Sequence, residues 1–339
     1  MVLLTAVPDD RMITSRMSGG RSGQLRPGDM VEVRSPAEIL ATLDDEGALD
    51  GVPFMPEMLQ HVGRRFTVSR RVEKICDTIA MTGSRRMLDT VYLDDLRCDG
   101  SGHGGCQAGC RIYWKEAWLR RVDDGGLETR TDGAEELEQR AAMGARTVRE
   151  IEGESAEVWR CQATEAISAT EHLKTSDIRQ YWRELSSGNL GLFHFLRVAA
   201  RGFFQELAIR IRPSRWVPLR GSGAPPAQEP LDLRPGDLVQ VRSPKEIAPT
   251  LDPNGRNRGL SFDHEMLPYC GGTYRVKDSV NRIIDERTGR MINISRDCLI
   301  LEGVICSGER SVGRWFCPRE IYPFWREAWV ERVEESEPT

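Results

Sequence analysis

The stretch LRPGDMVEVRSP, residues 25–36, returns as LRPGDLVQVRSP, residues 233–244, at an offset of 208. The correspondence continues through Thr42-Leu43-Asp44 and Thr250-Leu251-Asp252, Phe54 and Phe262, and Glu57-Met58-Leu59 and Glu265-Met266-Leu267. It reaches Cys98 and Cys306. A three-residue insertion then moves the offset to 211, where WKEAW at 114–118 matches WREAW at 325–329. A repeat of this length means one structural unit used twice. The two modules are read as 24–122 and 232–333.

Each module opens on a Pro-Gly-Asp turn followed by alternating Val-Glu-Val or Val-Gln-Val, the pattern of a half-buried strand. Proline at 36 and 244, followed by apolar residues at helical spacing, predicts a short helix. Further short strands are predicted at 66–68, 91–93, 274–276 and 299–301, separated by glycine turns. The expectation is an α+β chain with two tandem small β-barrels or rolls joined by a helical segment.

Outside the modules, 1–23 is read as a disordered N-terminus and 123–154 as a linker, acidic and glycine-rich, with a helical part. Residues 155–211 are read as helical. A cap at Thr175-Ser176-Asp177 opens one helix, Ser186 to Asn189 stops it, and an apolar helix follows over 190–211. The proline-rich 212–231 is read as a second linker and 334–339 as a tail.

Pro27-Gly28-Asp29-x-Val31-x-Val33, and its copy at 235–241, resembles the opening of SH3-like barrels of the KOW type, which implies a small barrel and nucleic-acid association. The whole module, including CDGSGHGGCQAGC and YWKEAW, is similar to a bacterial family of no established activity. That likeness implies no mechanism.

The chain has 339 residues, a charged fraction of 29% and a net charge of −5. This balance suits a globular protein and disfavours a general nucleic-acid binder, whose affinity comes from neutralising phosphates. The arginine pairs 64–65, 70–71 and 85–86 leave a local basic patch as an alternative. No apolar run approaches the length of a membrane span, and a cytoplasmic location is expected. Nine cysteines in a reducing compartment are then metal ligands, buried thiols or a nucleophile rather than disulfides.

Cys98, His103, Cys106 and Cys110 form C-x4-H-x2-C-x3-C, with glycines between them. Three thiolates and an imidazole are donors for zinc, or alternatively for iron or an iron–sulfur centre. Glycine lets a short loop wrap an ion. Four ligands would close the site and make it structural, whereas Cys98, His103 and Cys106 with an open position would make it catalytic. The second copy keeps Cys306 and Cys317 but has Ile321 at the place of Cys110. It has either lost the metal or rebuilt a site from Cys270, Cys298, Cys306 and Cys317. Cys161, with His172 or His194, is a candidate nucleophile pair set against a plain buried thiol. His61 aligns with Tyr269, which favours packing over ligation. Trp114, Trp118, Trp325 and Trp329 either line a groove or anchor the core. Their retention in both copies, while the metal loops differ, favours the core. Glu116 and Glu327 between them show no partner. Motifs for nucleotide binding and for standard hydrolases are absent.

The resulting expectation is a zinc-binding protein that recognises a protein or peptide partner in a cleft between modules. A metalloenzyme using Cys98, His103 and Cys106 is the alternative, and a nucleic-acid-associated module the third.

Overall fold

In a computed structural model, residues 23–79, 83–122, 132–174, 176–212, 216–222, 231–294 and 297–334 are described. The expected N-terminal disorder, the glycine-rich start of the first linker, most of the second linker and the tail fall outside these residues.

Both repeats build a five-stranded antiparallel sheet. In the first the order is Trp114–Lys115, Thr90–Leu93, Arg65–Arg71, Met30–Val33 and Leu119–Arg121. In the second it is Trp325–Arg326, Cys298–Leu301, Thr273–Ser279, Leu238–Val241 and Val330–Arg332. Val31 lies opposite Phe66 and Arg121, and Val239 opposite Tyr274 and Arg332. Each long strand carries a register shift at the same place, Val68/Arg70 and Val276/Asp278. The expected barrel does not close. The sheets stay open because the two end strands of each, joined by the single 3-10 turn Glu116–Trp118 or Glu327–Trp329, do not pair with one another.

Local chemistry sets these elements. Ser35 and Glu38 form a reciprocal cap on the helix Pro36–Leu40, with Pro36 in the first turn, where its missing N–H costs nothing. Ser243 and Glu246 do the same for Pro244–Ile247. Val31 and Val33 point inward, while Glu32 between them pairs with Arg65 and Arg120.

The four repeated tryptophans are fully buried, so they form no groove. Trp118 stands edge-on to Phe54 and donates its indole N–H to Thr42 Oγ1 at 3.0 Å. Trp329 does the same with Phe262 and Thr250 Oγ1, at 2.9 Å. The acids beside them have partners after all. Glu116 pairs with Arg71 and accepts from Leu25 N, and Glu327 accepts from Leu231 N and Leu233 N. Each fastens the start of its module to the end, so neither of these two acids stands free as a general base.

The region between the modules is less helical than its composition suggests. After the helix Ala134–Gly144 the chain forms a hairpin, Arg146–Ile151 against Glu154–Trp159. Its two-residue turn puts Glu152 and Gly153 at positive φ, as a tight hairpin requires. Glu171–Leu173 then adds to the sheet edge at Ser84–Arg86, ahead of the helices Arg179–Ser186 and Leu192–Ile211. Leu137 and Ala141 extend the first module's core. No helix among the described residues is long and apolar enough to cross a membrane.

Candidate metal centre

The loop over 98–110 is a closed turn before it is anything else. Cys98 N donates to Cys110 O at 2.8 Å, and Gly105 N and His103 N both donate to Gly100 O. Gly100 has φ +72, and a Cβ there would lie 2.1 Å from Cys106 O, so no other residue fits. The fold of the loop turns His103 inward, where the ring is almost wholly buried.

What His103 meets is Glu57, which lies far from the loop in sequence. Glu57 comes from the 3-10 segment Pro56–His61 and is itself buried. Its Oε1 lies 2.7 Å from His103 Nδ1 and accepts from Gly102 N at 3.0 Å. His103 Nε2 lies 3.0 Å from Arg160 O. A carbonyl oxygen only accepts, so Nε2 carries a proton and donates, and Nδ1 is the nitrogen turned to the carboxylate. Glu57 Oε2 is buried with no hydrogen-bond partner.

Among the described residues, Glu57, Cys98 and His103 are the one group of His, Cys, Asp or Glu donors whose ligand atoms all lie within 4.8 Å of one another. A buried carboxylate, thiol and imidazole at that spacing can hold a metal ion. Burial pushes the Cys98 thiol well up, and the charges of Glu57 and Cys110 push it further. Burial alone raises the Glu57 carboxyl too, but the hydrogen bond and charge of His103 outweigh it and hold the group below its ordinary range. A cation between them would relieve the thiol.

Beside this group lies a cavity of about 390 Å³ with mainly apolar walls. Cys98, His103, Cys106 and Cys110 all line it, and so does Cys161 from the start of the short helix Gln162–Glu165. Ile284 and Arg319 bring the second module into the wall. Burial pushes the Cys110 thiol up to about 12 and the Cys161 thiol up to about 11. Burial disfavours the thiolate at both, which counts against Cys161 as a free nucleophile. Neither His172 nor His194 reaches this wall, and His194 instead pairs with Glu309 at 3.1 Å.

The four residues expected to bind one ion therefore share one cavity without converging on one point. Cys98 and His103 come together. Cys106 and Cys110 stand apart from them, Cys106 Sγ accepting from Ile284 N at 3.4 Å. Glu57 had one signal in the sequence: it is an acid within the apolar run Pro53-Phe-Met-Pro-Glu-Met-Leu, and the repeat keeps it as Glu265.

The second copy shows what the same loop does without the histidine. Gly308 replaces Gly100, with a Cβ position 2.4 Å from Cys317 O, and Cys306 N donates to Ile321 O at 2.8 Å. Glu265 sits where Glu57 does but accepts from Ser307 N, Ser307 Oγ, Arg310 N and Ser311 N, which fills both oxygens. Cys270, Cys298, Cys306 and Cys317 do not form a group of donors within 4.8 Å. Cys317 instead accepts from Cys76 N at 3.2 Å.

Four of the six arginines in these pairs have partners within the chain. Arg65, Arg70 and Arg71 pair with Glu32, Glu320 and Glu73, and Arg85 donates to Thr170 and to Ile167 O. His61 packs against Phe66 and Trp114. In comparisons with known proteins, no family model, no curated protein and no solved structure matches the chain.

Proposed function

We propose that the chain is a metal-binding recognition protein. One zinc ion is held by Glu57, Cys98 and His103, and the cavity beside it takes a small ligand or a single side chain of a protein partner. The observation that carries this is the unpartnered, buried Oε2 of Glu57 beside the Cys98 thiol. An orphaned carboxylate oxygen inside a protein costs several kcal/mol, roughly, unless a cation or proton meets it. The copy without the histidine spends four donors on the same carboxylate. Three protein ligands leave a fourth position open, which suits binding of an outside donor better than a purely structural role. Nε2 of His103, fixed by Arg160 O, orients the ring as second-sphere carbonyls do for metal-bound histidines. The strand order of each half, with a one-turn 3-10 helix before the last strand, supports the reading of the halves as copies of one SH3-like module.

A second reading rests on a separate observation, the four thiols Cys98, Cys106, Cys110 and Cys161 around one cavity. They are too spread for one ion but have the donor set of an iron–sulfur cluster. Elemental analysis of protein purified without oxygen decides between the two. One zinc per chain, lost in Glu57→Gln and His103→Asn but kept in Cys161→Ser, supports the first. Iron with acid-labile sulfide and visible absorption, lost in Cys161→Ser, supports the second. Protein that binds neither metal nor cluster under both conditions overturns the metalloprotein reading.

A further inference from the structure

The helix Leu192–Ile211 has two different faces. One is fastened to the body. Val198 and Gly202 are buried, and Gly202 lies so close to Trp315 that a Cβ would come within 2.8 Å of the indole. Phe195 stacks on Phe316 at 5.0 Å, and Gln205 Nε2 donates to Arg310 O at 2.8 Å. The opposite face is apolar and open. Phe193, Leu196, Phe203, Phe204, Leu207 and Ile211 recur at helical spacing on one stripe, and the three phenylalanines are 88%, 67% and 66% exposed. A stripe of this size on a globular protein marks an interaction surface.

We propose that this stripe is covered by the same stripe of a second copy of the chain, in a two-fold homodimer. Area is the first argument. Exposed side chains of this kind offer on the order of 100–150 Å² each, which puts the stripe at roughly 800 Å² per chain, the size of a standard interface. Shape is the second. Ala200 falls at the middle of the stripe, where a small residue lets two helices approach closely, and the large side chains flank it on both sides. Charge is the third, and it separates a protein partner from a lipid surface. A helix lying on an anionic membrane needs a free cationic rim. Here Arg197 and Arg201 are both spent on Glu309, at 3.1 and 3.2 Å, and Arg210 pairs with Glu206. Three of the four arginines on this helix and its C-terminal cap are thus held by acids of the chain itself, so the apolar stripe is what drives association. A two-fold contact uses one patch on both partners, and a single continuous stripe meets that requirement. The inference does not depend on the metal reading.

Size-exclusion chromatography with light scattering on the full-length chain tests it. The expected result is a dimer that dissociates on dilution. The double variant Phe193→Glu/Phe204→Glu is expected to be monomeric at every concentration, with an unchanged circular dichroism spectrum, because both rings face solvent in the monomer. Ala200→Trp, which adds bulk at the centre without charge, is expected to weaken the dimer at least tenfold. A wild-type chain that stays monomeric at its highest soluble concentration overturns the proposal. So does a dimer unaffected by both variants, or a monomer that binds vesicles of anionic phospholipid through the same two phenylalanines.

Discussion

Cys76 and Ile284 hold the same place in the two repeats, and each donates its backbone N–H to a sulfur of the opposite half. Cys76 reaches Cys317 Sγ at 3.2 Å, and Ile284 reaches Cys106 Sγ at 3.4 Å. Thr78 and Glu286, also equivalent at the offset of 208, hydrogen-bond to each other. These contacts have the pattern of a local two-fold relation between the halves. The cavity lies beside that junction, so whatever loosens the junction opens the candidate centre.

Arg319 is the residue to change there. Its guanidinium is buried, donates to Thr78 Oγ1 at 3.0 Å and meets Glu286 Oε1 at 2.7 Å. Arg319→Ala removes one partner of a half-buried carboxylate that keeps its bond from Thr78, and is expected to cost roughly 1.5–3 kcal/mol, the range for a hydrogen bond to a charged group. Urea unfolding followed by tryptophan fluorescence measures it. A second transition in the variant would show the halves unfolding separately. A loss below about 1 kcal/mol would mean the junction is held elsewhere.

The matched indole bonds give a paired prediction. Thr42→Val and Thr250→Val each remove the acceptor of a fully buried tryptophan N–H while keeping the side chain's volume. Each orphaned indole is expected to cost about 1–3 kcal/mol. The two effects should add, because the sites lie in different sheets. Additivity within about 0.5 kcal/mol in thermal unfolding is the check.

Much of this architecture was readable from residues alone, and the limits have physical causes. Alternation at Val31-Glu32-Val33 and the Ser35/Glu38 cap are local signals, and local signals located three central strands and the opening helix of each repeat, while the short strands at Ile75–Cys76, Ser84–Arg86, Arg282–Ile284 and Met291–Asn293 carried none. The hairpin at 146–159 was hidden because its strands are rich in Glu and Arg, residues that favour helix, and its turn uses Glu152 rather than Asn or Asp. Sheet closure depends on pairing between distant strands, which alternation does not encode. At the candidate centre, spacing identified Cys98 and His103. Glu57 joins them across 46 residues of chain, and Cys161 comes from a different segment altogether. A ligand set assembled by tertiary packing leaves no spacing to read.

Glu57 and Glu265 should respond differently to the same substitution. Glu265→Gln breaks a carboxylate that accepts four hydrogen bonds, and it is expected to destabilise the chain by about 1.5–3 kcal/mol. Glu57→Gln keeps an oxygen for Gly102 N but loses the charge beside His103, so it is expected to cost less, about 1 kcal/mol without metal, while lowering zinc affinity at least tenfold. Unfolding midpoints measured with zinc and with a chelator separate the two effects. Equal destabilisation of both variants in chelator would count against Glu57 as a ligand.

A pH series provides the last test, because two opposite charges are buried away from the candidate centre. Lys74 lies between the rings of Tyr181 and Phe316, 5.2 Å from each, and Glu184 is buried near it with only Oε2 hydrogen-bonded, to Asn189. Burial lowers the Lys74 ammonium to about 8, and burial raises the Glu184 carboxyl to about 7. In the unfolded chain both return to their ordinary ranges. Between the ordinary carboxylate range and 7 the folded chain binds the extra proton, so stability falls as pH rises. Between 8 and the ordinary lysine range the unfolded chain binds the extra proton, so stability rises with pH. The unfolding temperature is therefore expected to dip between 7 and 8. Glu184→Gln should flatten the acid limb of that dip, and Lys74→Met the alkaline one. The double variant, which removes two buried charges at once, is expected to gain about 1–3 kcal/mol at neutral pH. Scanning calorimetry from about pH 5 to about pH 10 reads all three, and a wild-type profile with no dip would show that the pair is solvated rather than enclosed.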